Sequence, residues 1–273
     1  MIIDGKKLAE EIKVSLKKEV VAIDKQLRLA AIWVGDDVVT EKFLERKKTF
    51  GQDIGVDVRI YKLPKDISTT ELRKKVSEIV HIEQNTAIVV QLPLPGHINA
   101  QYILDGIIPA KDADMLSSKS VGLFTVGRST ILPPVVGAVK YILEKNDIDV
   151  RGKWIVVVGA GRLVGKPVST WFLNNGATVI VCDEHTSDIG SFTRKADIIV
   201  TGVGKPNLIT ADMVRDGVIV IDAGTSESVG RLVGDVDEAV AQKASLSTPV
   251  PGGVGPLTVA MLFANVVTLA KKS

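Results

Sequence analysis

Three glycines follow an apolar run in the second half of the chain, where a strand would turn into a helix. The apolar run is WIVV at residues 154–157. The segment VGAGRLVGKP follows it at residues 158–167 and contains Gly159, Gly161 and Gly165. One glycine permits a sharp turn, another lets the backbone approach a pyrophosphate, and N–H groups of the next helical turn donate to the anion. The spacing is one residue longer than the usual dinucleotide-binding fingerprint, and alone it fits a packing turn equally well. The strand before it and the helix after it, with Pro167 near the helix start, favour nucleotide binding.

An acidic pair, Asp183 and Glu184, ends the next predicted strand, about 20 residues after these glycines. A carboxylate at this place hydrogen-bonds the adenosine ribose and repels a phosphate on the same sugar, which favours NAD over NADP. Two other interpretations stay open. The pair can be solvated loop charges, and Arg162 inside the glycine loop can hold a 2′-phosphate. We give more weight to the acidic pair, so NAD is the expected cofactor and NADP the less favoured one.

Helical and strand patterns alternate along the chain, which is typical of parallel sheets covered by helices. In the first half, helices are expected at about 5–24, at about 40–54 and after Ser68, between the strands LRLAAIWVG, VDVRIYKL and TAIVVQLPL. A helix from Val135 leads to the strands KWIVVVG, ATVIVCD, ADIIVTGVG, GVIVIDAG and ASLSTPV. The sequence therefore predicts an α/β protein of two domains. The first comprises residues 1–134 with the C-terminal helix at 257–273, which could pack on either domain, and the second is a Rossmann-like domain at 135–256.

Composition and charge narrow the classes of function. The chain has 273 residues, 45% of them hydrophobic, and a formal net charge of +2. Because the basic residues are spread along the chain, a nucleic-acid partner is not expected. A single cysteine, Cys182, and three histidines without ligand spacing argue against a metal site. We find neither a signal-peptide pattern nor an apolar run of about 18 residues, so no membrane association and a cytoplasmic location are expected.

Several segments together resemble the bifunctional methylenetetrahydrofolate dehydrogenase/cyclohydrolase (FolD) family. They are Ile3-Asp4-Gly5, VGDD at 34–37, Lys47, VVQLPLP at 89–95, KDAD at 111–114, VGKPV at 164–168, VGKP at 203–206, GVIVIDAG at 217–224, Gly234-Asp235-Val236 and TPVPGGVGPLTVAML at 248–262. The resemblance implies two α/β domains with a cleft between them, usually in a homodimer. It implies oxidation of 5,10-methylenetetrahydrofolate with a nicotinamide cofactor, followed by hydrolysis of the methenyl product to 10-formyltetrahydrofolate.

The resemblance also implies roles for residues of the first half. Lys47 matches the family's catalytic lysine, Gln91 would orient it, and Asp114 matches the aspartate that binds the pterin. Phe43 lies four residues before Lys47, so both side chains share one helix face, and Phe43 is assigned to the substrate. Taken without the family, these residues fit blander interpretations: a surface lysine, a strand-end amide and a loop or cap carboxylate.

The remaining candidates lie in the second half. Pro251, Gly252 and Gly253 belong to PGGVGP, where prolines fix the chain and glycines allow close approach, which suits a wall against the substrate. A tight turn before the last helix is compatible with the same role. The expected cofactor-binding set is completed by Ala160 and by Thr225, which directly follows GVIVIDAG.

Four departures from the family's pattern bear on function. Phe43 stands where the family has tyrosine, Met115-Leu116 follow Asp114 where the family has glycine and its usual successor, and LPPVVG at 132–137 replaces a segment with a cysteine or serine and a threonine between prolines. Ala160-Gly161 replace arginine and serine, which removes phosphate ligands and again favours NAD. These changes leave open a catalytically weakened binding protein, or a dehydrogenase without cyclohydrolase activity. A dehydrogenase for another small acid is a further alternative, against which QLPLP and PGGVGP argue.

Overall fold

The chain forms two compact units in the computed structural model, which describes residues 1–228 and 231–272. The N-terminal unit is Glu10–Pro134 with Val259–Ser273, and the central unit is Met1–Ala9 with Val135–Thr258. Each unit contains its own parallel sheet, so the predicted α/β class is confirmed. The first residues of the chain differ from the predicted division, because the Ile3 N–H donates to the Ser247 carbonyl at 2.9 Å and so joins the central unit.

The N-terminal unit is built on three parallel strands. In chain order its elements are α1 (Gly5–Val21), which starts in the central unit, β1 (Arg28–Val34), α2 (Val38–Ile54), β2 (Asp57–Leu63), α3 (Thr69–His81), β3 (Ala87–Val90), α4 (Ala100–Leu104) and α5 (Ser118–Thr125). The strand order is β2-β1-β3. Both β1 and β3 are almost wholly buried, which explains their continuous apolar runs. The next strand, β2, pairs with one edge of β1, and β3 pairs with the other edge. The carboxyl ends of β1 and β3 therefore flank a switch point, where ligands commonly bind.

Local signals fix the ends of α2, the helix that carries Phe43 and Lys47. The Asp37 side chain accepts from the Thr40 N–H at 2.7 Å and caps the first turn. The helix ends at Ile54 and is capped by Gly55, whose φ of 86° lies in the left-handed region that glycine adopts without strain. The helix thus begins two residues before the position expected from its pattern, and the spacing of Phe43 and Lys47 on one face is kept.

The central unit holds five parallel strands. Its elements are α6 (Pro134–Lys145), β4 (Trp154–Val158), α7 (Gly165–Asn174), β5 (Thr178–Cys182), α8 (Ile189–Thr193), β6 (Ile198–Thr201), β7 (Ile219–Asp222), β8 (Ser226–Ser228), β9 (Arg231–Val233), β10 (Leu246–Ser247) and α9 (Val254–Ala270), which ends in the N-terminal unit. The strand order β10-β7-β6-β4-β5 places the switch point at the carboxyl ends of β4 and β6. Numbered within this sheet and read from β5, the order is 2-1-3-4-5, a common order of doubly wound α/β sheets, which bind ligands at the switch point.

Some boundaries differ from the predicted ones. The expected strand ASLSTPV is reduced to the two residues of β10, and α9 begins at Val254, three residues before the expected start. The antiparallel hairpin of β8 and β9 was not predicted, since strands of three residues are too short to show a period. Among residues 1–228 and 231–272, no helix is long and apolar enough to cross a membrane.

Candidate active site

Lys47 and Gln91 meet in the N-terminal unit. The Lys47 Nζ donates to Gln91 Oε1 at 2.9 Å. Gln91 follows β3, its N–H donates to the Ile32 carbonyl at 2.8 Å, and its Nε2 donates to the Leu92 carbonyl at 2.9 Å. Because the amide nitrogen is engaged, the amide oxygen faces the lysine. The hydrogen bond thus brings Lys47 and Gln91 together, and the orienting role that the resemblance implies for Gln91 stays a prediction.

Asp114 interacts electrostatically with Lys47. Burial lowers the pKa of Lys47 below its usual value, and the negative charge of Asp114 opposes that shift. Burial raises the pKa of Asp114, Lys47 opposes the rise, and Asp112 adds to it. Both side chains remain half-buried and so keep some access to solvent. An amine that gives up its proton more readily than a free lysine is suited to accept and return protons during a reaction.

The loop that carries Asp114 is held from several sides. The Ile88 N–H of β3 donates to the Lys111 carbonyl at 2.7 Å, and the buried Asp112 carboxylate accepts from the Ser117 N–H at 2.9 Å. Asn265 of α9 donates to the Ala113 carbonyl at 2.8 Å. These bonds on neighbouring residues fix the backbone around Asp114.

Met115, the residue after Asp114, has a φ of 60°. This left-handed backbone is the conformation that glycine adopts most easily. This conformation explains the glycine that the family's pattern has at this position. Met115 adopts the same backbone conformation with a larger side chain.

Phe43 lies on the solvent side of the Lys47 face. Its side chain is 36% exposed, and the Arg46 guanidinium carbon lies 5.5 Å from its ring centroid. The ring retains an open aromatic surface for stacking but offers no hydroxyl. The structure thus places Phe43 beside Lys47 on α2, as the four-residue spacing requires.

The glycine loop between β4 and α7 forms a tight turn. Gly159 has a φ of 104°, and its N–H donates to the Cys182 carbonyl at 2.7 Å. A Cβ at Gly165 would overlap the carbonyl of Gly159. At Gly161, by contrast, a Cβ would meet nothing within 4 Å. Two of the glycines therefore satisfy packing, as the alternative interpretation required, whereas Gly161 leaves open space suited to the close approach of a dinucleotide pyrophosphate.

The acidic pair follows β5, next to this loop. The Gly159 bond to the carbonyl of the last β5 residue brings Asp183 beside the glycines. Asp183 Oδ1 accepts from the His185 N–H at 3.0 Å, which is a local turn, and Glu184 is exposed. Arg162 is exposed as well. The pair thus lies where a carboxylate that binds the adenosine ribose is expected. One Asp183 oxygen is already engaged in a hydrogen bond within its own turn.

The loop after β6 packs on the glycine loop. A Cβ at Gly202 would overlap the side chain of Val164, and a Cβ at Gly204 would lie 3.4 Å from the carbonyl of Thr225. Thr225 therefore lies beside the loop at the carboxyl end of β6. The three loops after β4, β6 and β7 together border the switch point of the central sheet.

The segment before α9 packs on the start of the chain. Gly252 has a φ of 104°, and the Gly253 N–H donates to the Pro249 carbonyl at 2.8 Å. A Cβ at Gly5 would overlap the Gly253 carbonyl. Pro251, Gly252 and Gly253 thus form a tight turn, as the alternative interpretation had it, and α9 starts directly after them. Within the described ranges, no group of three or more histidine, cysteine, aspartate or glutamate side chains could hold a metal ion.

Models of two protein domains match most of the chain. Residues 3–114 match the catalytic domain of tetrahydrofolate dehydrogenase/cyclohydrolase, and residues 133–273 match its NAD(P)-binding domain. The chain belongs to the tetrahydrofolate dehydrogenase/cyclohydrolase family. The resemblance inferred from VQLPLP and TPVPGGVGPLT is confirmed.

Relatives in this family match over nearly their full length. The bifunctional protein FolD of Nautilia profundicola is 45% identical over an alignment of 275 positions, which covers 99% of this chain and 97% of that protein. The crystal structure of the bifunctional enzyme FolD from Campylobacter jejuni has a TM-score of 0.97 and 40% identity, covering 100% of this chain and 99% of the other. The Trypanosoma brucei FolD structure, complexed with NADP cofactor and inhibitor, has a TM-score of 0.95 and 35% identity, covering 100% and 97%.

Two buried carboxylates of this family member were not assigned a role from the sequence. Asp235 is fully buried and Asp222 is 3% exposed. Burial raises the pKa of Asp222 to about 7, and the neighbouring Asp235 contributes to the rise. A Cβ at Gly224 would overlap the Asp235 carboxylate, and one at Gly234 would overlap that of Asp222. A glycine lies next to or one residue from the aspartate in each segment, Asp222-Ala223-Gly224 and Gly234-Asp235, and this is the signal that could have revealed the interlocked pair.

Proposed function

We propose that the chain oxidises 5,10-methylenetetrahydrofolate with a nicotinamide dinucleotide and hydrolyses the methenyl product to 10-formyltetrahydrofolate. Membership of the family over the full chain supports both activities. The observation that carries the hydrolytic step is the hydrogen bond from Lys47 to Gln91, with Asp114 interacting with the same ammonium group. This arrangement argues against the alternative of a weakened binding protein.

In the hydride step the protein mainly orients the reactants. The oxidised methylene carbon becomes a delocalised cation, which needs little acid or base assistance. When bound, the nicotinamide supplies the hydride acceptor. The glycine turn at 159–165 and the first turn of α7 fit a pyrophosphate, since Gly161 leaves open space there. In this proposal Asp114 accepts hydrogen bonds from the amino-pyrimidine edge of the pterin.

Lys47 serves the hydrolytic step. Its amine accepts a proton as water adds to the methenyl carbon, and returns that proton to N5 of the folate as the carbon–N5 bond breaks. The remaining hydroxyl proton is released to solvent as the formyl carbonyl forms. The lowered pKa makes the unprotonated amine available closer to neutral pH. Gln91 keeps the amine in place throughout.

Replacement of the lysine tests this mechanism. The variant Lys47→Ala should lower methenyl hydrolysis by about 100-fold or more, since positioned acid–base catalysis commonly contributes that much. The matched control is Lys48→Ala, the next lysine on α2, which pairs with Glu45 at 3.9 Å and should retain activity. An unchanged hydrolysis rate in the Lys47 variant would remove the lysine from the mechanism. Dehydrogenase turnover without methenyl hydrolysis in the wild type would favour the monofunctional alternative.

We further propose that NAD is preferred over NADP. Ala160 and Gly161 provide no phosphate ligand, and Asp183 and Glu184 would repel a 2′-phosphate on the ribose. Arg162 is the residue that opposes this preference. Steady-state kcat/KM with each cofactor measures it directly, and Asp183→Asn should raise the relative use of NADP. Equal or better use of NADP by the wild type would contradict the proposal.

Four further proposals follow from the family resemblance and the composition. The chain forms a homodimer, acts in the cytoplasm and does not bind nucleic acid. The domain with Lys47 binds the folate, and the domain with the glycine loop binds the dinucleotide, with Thr225 and the turn at 251–253 beside the ligands. Sedimentation equilibrium tests the dimer, and a mass of about 29 kDa, that of one chain, would refute it.

A further inference from the structure

Helix α2 presents more than Lys47 and Phe43 on its ligand-facing side. At 3.6 residues per turn, Lys47 lies about 40° from Phe43 toward the core, and Arg46 and Lys42 lie about 60° and 100° from it in the opposite direction. The exposure of the side chains follows this order. Lys47 is half-buried, Phe43 is 36% exposed, and Arg46 and Lys42 are exposed. A ligand that reaches Lys47 across Phe43 therefore extends toward two cations.

These two cations differ from their neighbour Lys48 in their surroundings. In the part of the chain that the structure describes, Arg46 and Lys42 make no ion pair and no side-chain hydrogen bond, and Arg46 contacts the Phe43 ring. Lys48 on the same helix, by contrast, pairs with Glu45 at 3.9 Å. Like charges four residues apart on a helix destabilise it. An arrangement that is unfavourable for the free helix becomes favourable if an anion binds beside it.

The folate substrate carries such an anion at the corresponding end. Its reacting carbon lies between the pterin and an aminobenzoyl ring, and a glutamate with two carboxylates follows that ring. The order of groups in the substrate matches the order Lys47, Phe43, Arg46, Lys42 around α2. A guanidinium binds a carboxylate with two parallel hydrogen bonds, which an ammonium group does not.

We propose that Arg46, assisted by Lys42, binds the glutamate carboxylates of the folate and sets the selectivity of the enzyme for glutamate-bearing substrates. Arg46 is thus a specificity-determining residue that contacts the substrate far from the reacting carbon. This inference rests on the proposed function, because it takes the substrate to be a tetrahydrofolate.

The test compares two substrates that differ only in the glutamate: methylenetetrahydrofolate and methylenetetrahydropteroate, which lacks it. The KM for each compound is measured with the wild type, with Arg46→Gln and with the control Lys48→Gln. The wild type and the control should prefer the glutamate-bearing compound. In Arg46→Gln, the ratio of the KM for the compound without glutamate to the KM for the compound with it should fall about fivefold, which is the upper range for an exposed ion pair. Arg46→Lys should restore part of it, and high salt should reduce the preference of the wild type.

The ratio of the two KM values separates binding from structural damage. A disturbed α2 would raise both KM values together and leave their ratio unchanged. The proposal is overturned if the wild type shows no preference, or if Arg46→Gln keeps it. Calorimetric titration with tetrahydrofolate and tetrahydropteroate repeats the comparison without turnover. Absence of turnover in the wild type would therefore count against the proposed function, while the titration still decides the role of Arg46.

Discussion

Replacement of Asp235 by asparagine should destabilise the central unit and weaken cofactor binding. The carboxylate is fully buried and accepts four hydrogen bonds. Its Oδ2 accepts from Thr201 Oγ1 at 2.6 Å and from the Val203 N–H at 2.7 Å. Its Oδ1 accepts from the N–H groups of Gly204 and Lys205, both at 2.8 Å. One side chain thus fixes the loop that follows β6.

The cost of the substitution follows from the donors. The asparagine oxygen can still accept from Gly204 and Lys205, and the Thr201 hydroxyl can rotate to accept from the new amide. The Val203 N–H would face the new amide nitrogen, which is itself a donor. One buried donor is therefore left without an acceptor, which costs about 1–3 kcal/mol. The retained bonds also weaken, because their acceptor is no longer charged. Relief of the repulsion with Asp222 offsets a part, so we expect a loss of about 2–3 kcal/mol in unfolding free energy.

Urea unfolding measures this loss, and the KM for the dinucleotide measures its effect on function. The KM should rise, because the loop after β6 packs on Val164 of the glycine loop. The control is Asp237→Asn, since Asp237 caps a short helix through the Ala239 N–H at 2.8 Å and asparagine caps equally well. A stability within about 0.5 kcal/mol of the wild type would refute the argument from the unpaired donor. A stability loss with an unchanged KM would refute the link to the cofactor.

Two other predictions concern a titrating carboxyl group and a buried amide. Burial raises the pKa of Asp222 to about 7, so the folded chain holds a proton that the unfolded chain releases above about pH 4. The unfolding free energy should therefore fall as pH rises from about 4 to 7, by as much as about 4 kcal/mol. Asp222→Asn should flatten this dependence on pH. Equal slopes for the variant and the wild type, measured by urea unfolding at each pH, would contradict the prediction. Asn265 donates to the carbonyls of Ala113 and Leu132 at 2.8 and 2.7 Å. Asn265→Leu should lower the unfolding free energy by about 2–4 kcal/mol in chemical denaturation. The control Thr268→Val removes only a hydrogen bond within α9 and should lower it much less. Equal losses in the two variants would argue that Asn265 does not bridge the two carbonyls.

The encounter of Lys47 with Gln91 could be predicted because the family resemblance implies it and local patterns place both residues. The helix period places Phe43 and Lys47 on one face, and the continuous apolar run of β3 marks it as a buried parallel strand whose carboxyl end carries Gln91. The family motif then identified the pair. The hydrogen bond between them needed only the standard arrangement of a helix over a parallel sheet.

The interlocked pair of Asp222 and Asp235 could not be predicted in the same way. Its formation depends on the neighbouring positions of β6 and β7 and on the return of the chain through the β8–β9 hairpin. Strand order is a long-range property that periodicity does not encode, and three-residue strands leave no pattern. The cations Arg46 and Lys42 were missed for another reason: exposed charges on a helix are ordinary until their partners are known.

The glycine loop separates the requirements of the fold from those of the cofactor. Gly159 has a left-handed backbone, and Gly165 has no room for a side chain, so both are required by the turn itself. Gly161 is free of such contacts, and Ala160 is only half-buried. The positions to which we attribute the proposed cofactor preference are therefore those on which packing places little demand. Because of this separation, the residues at 160 and 161 can differ from the arginine and serine of the resembling pattern without rebuilding the strand–turn–helix.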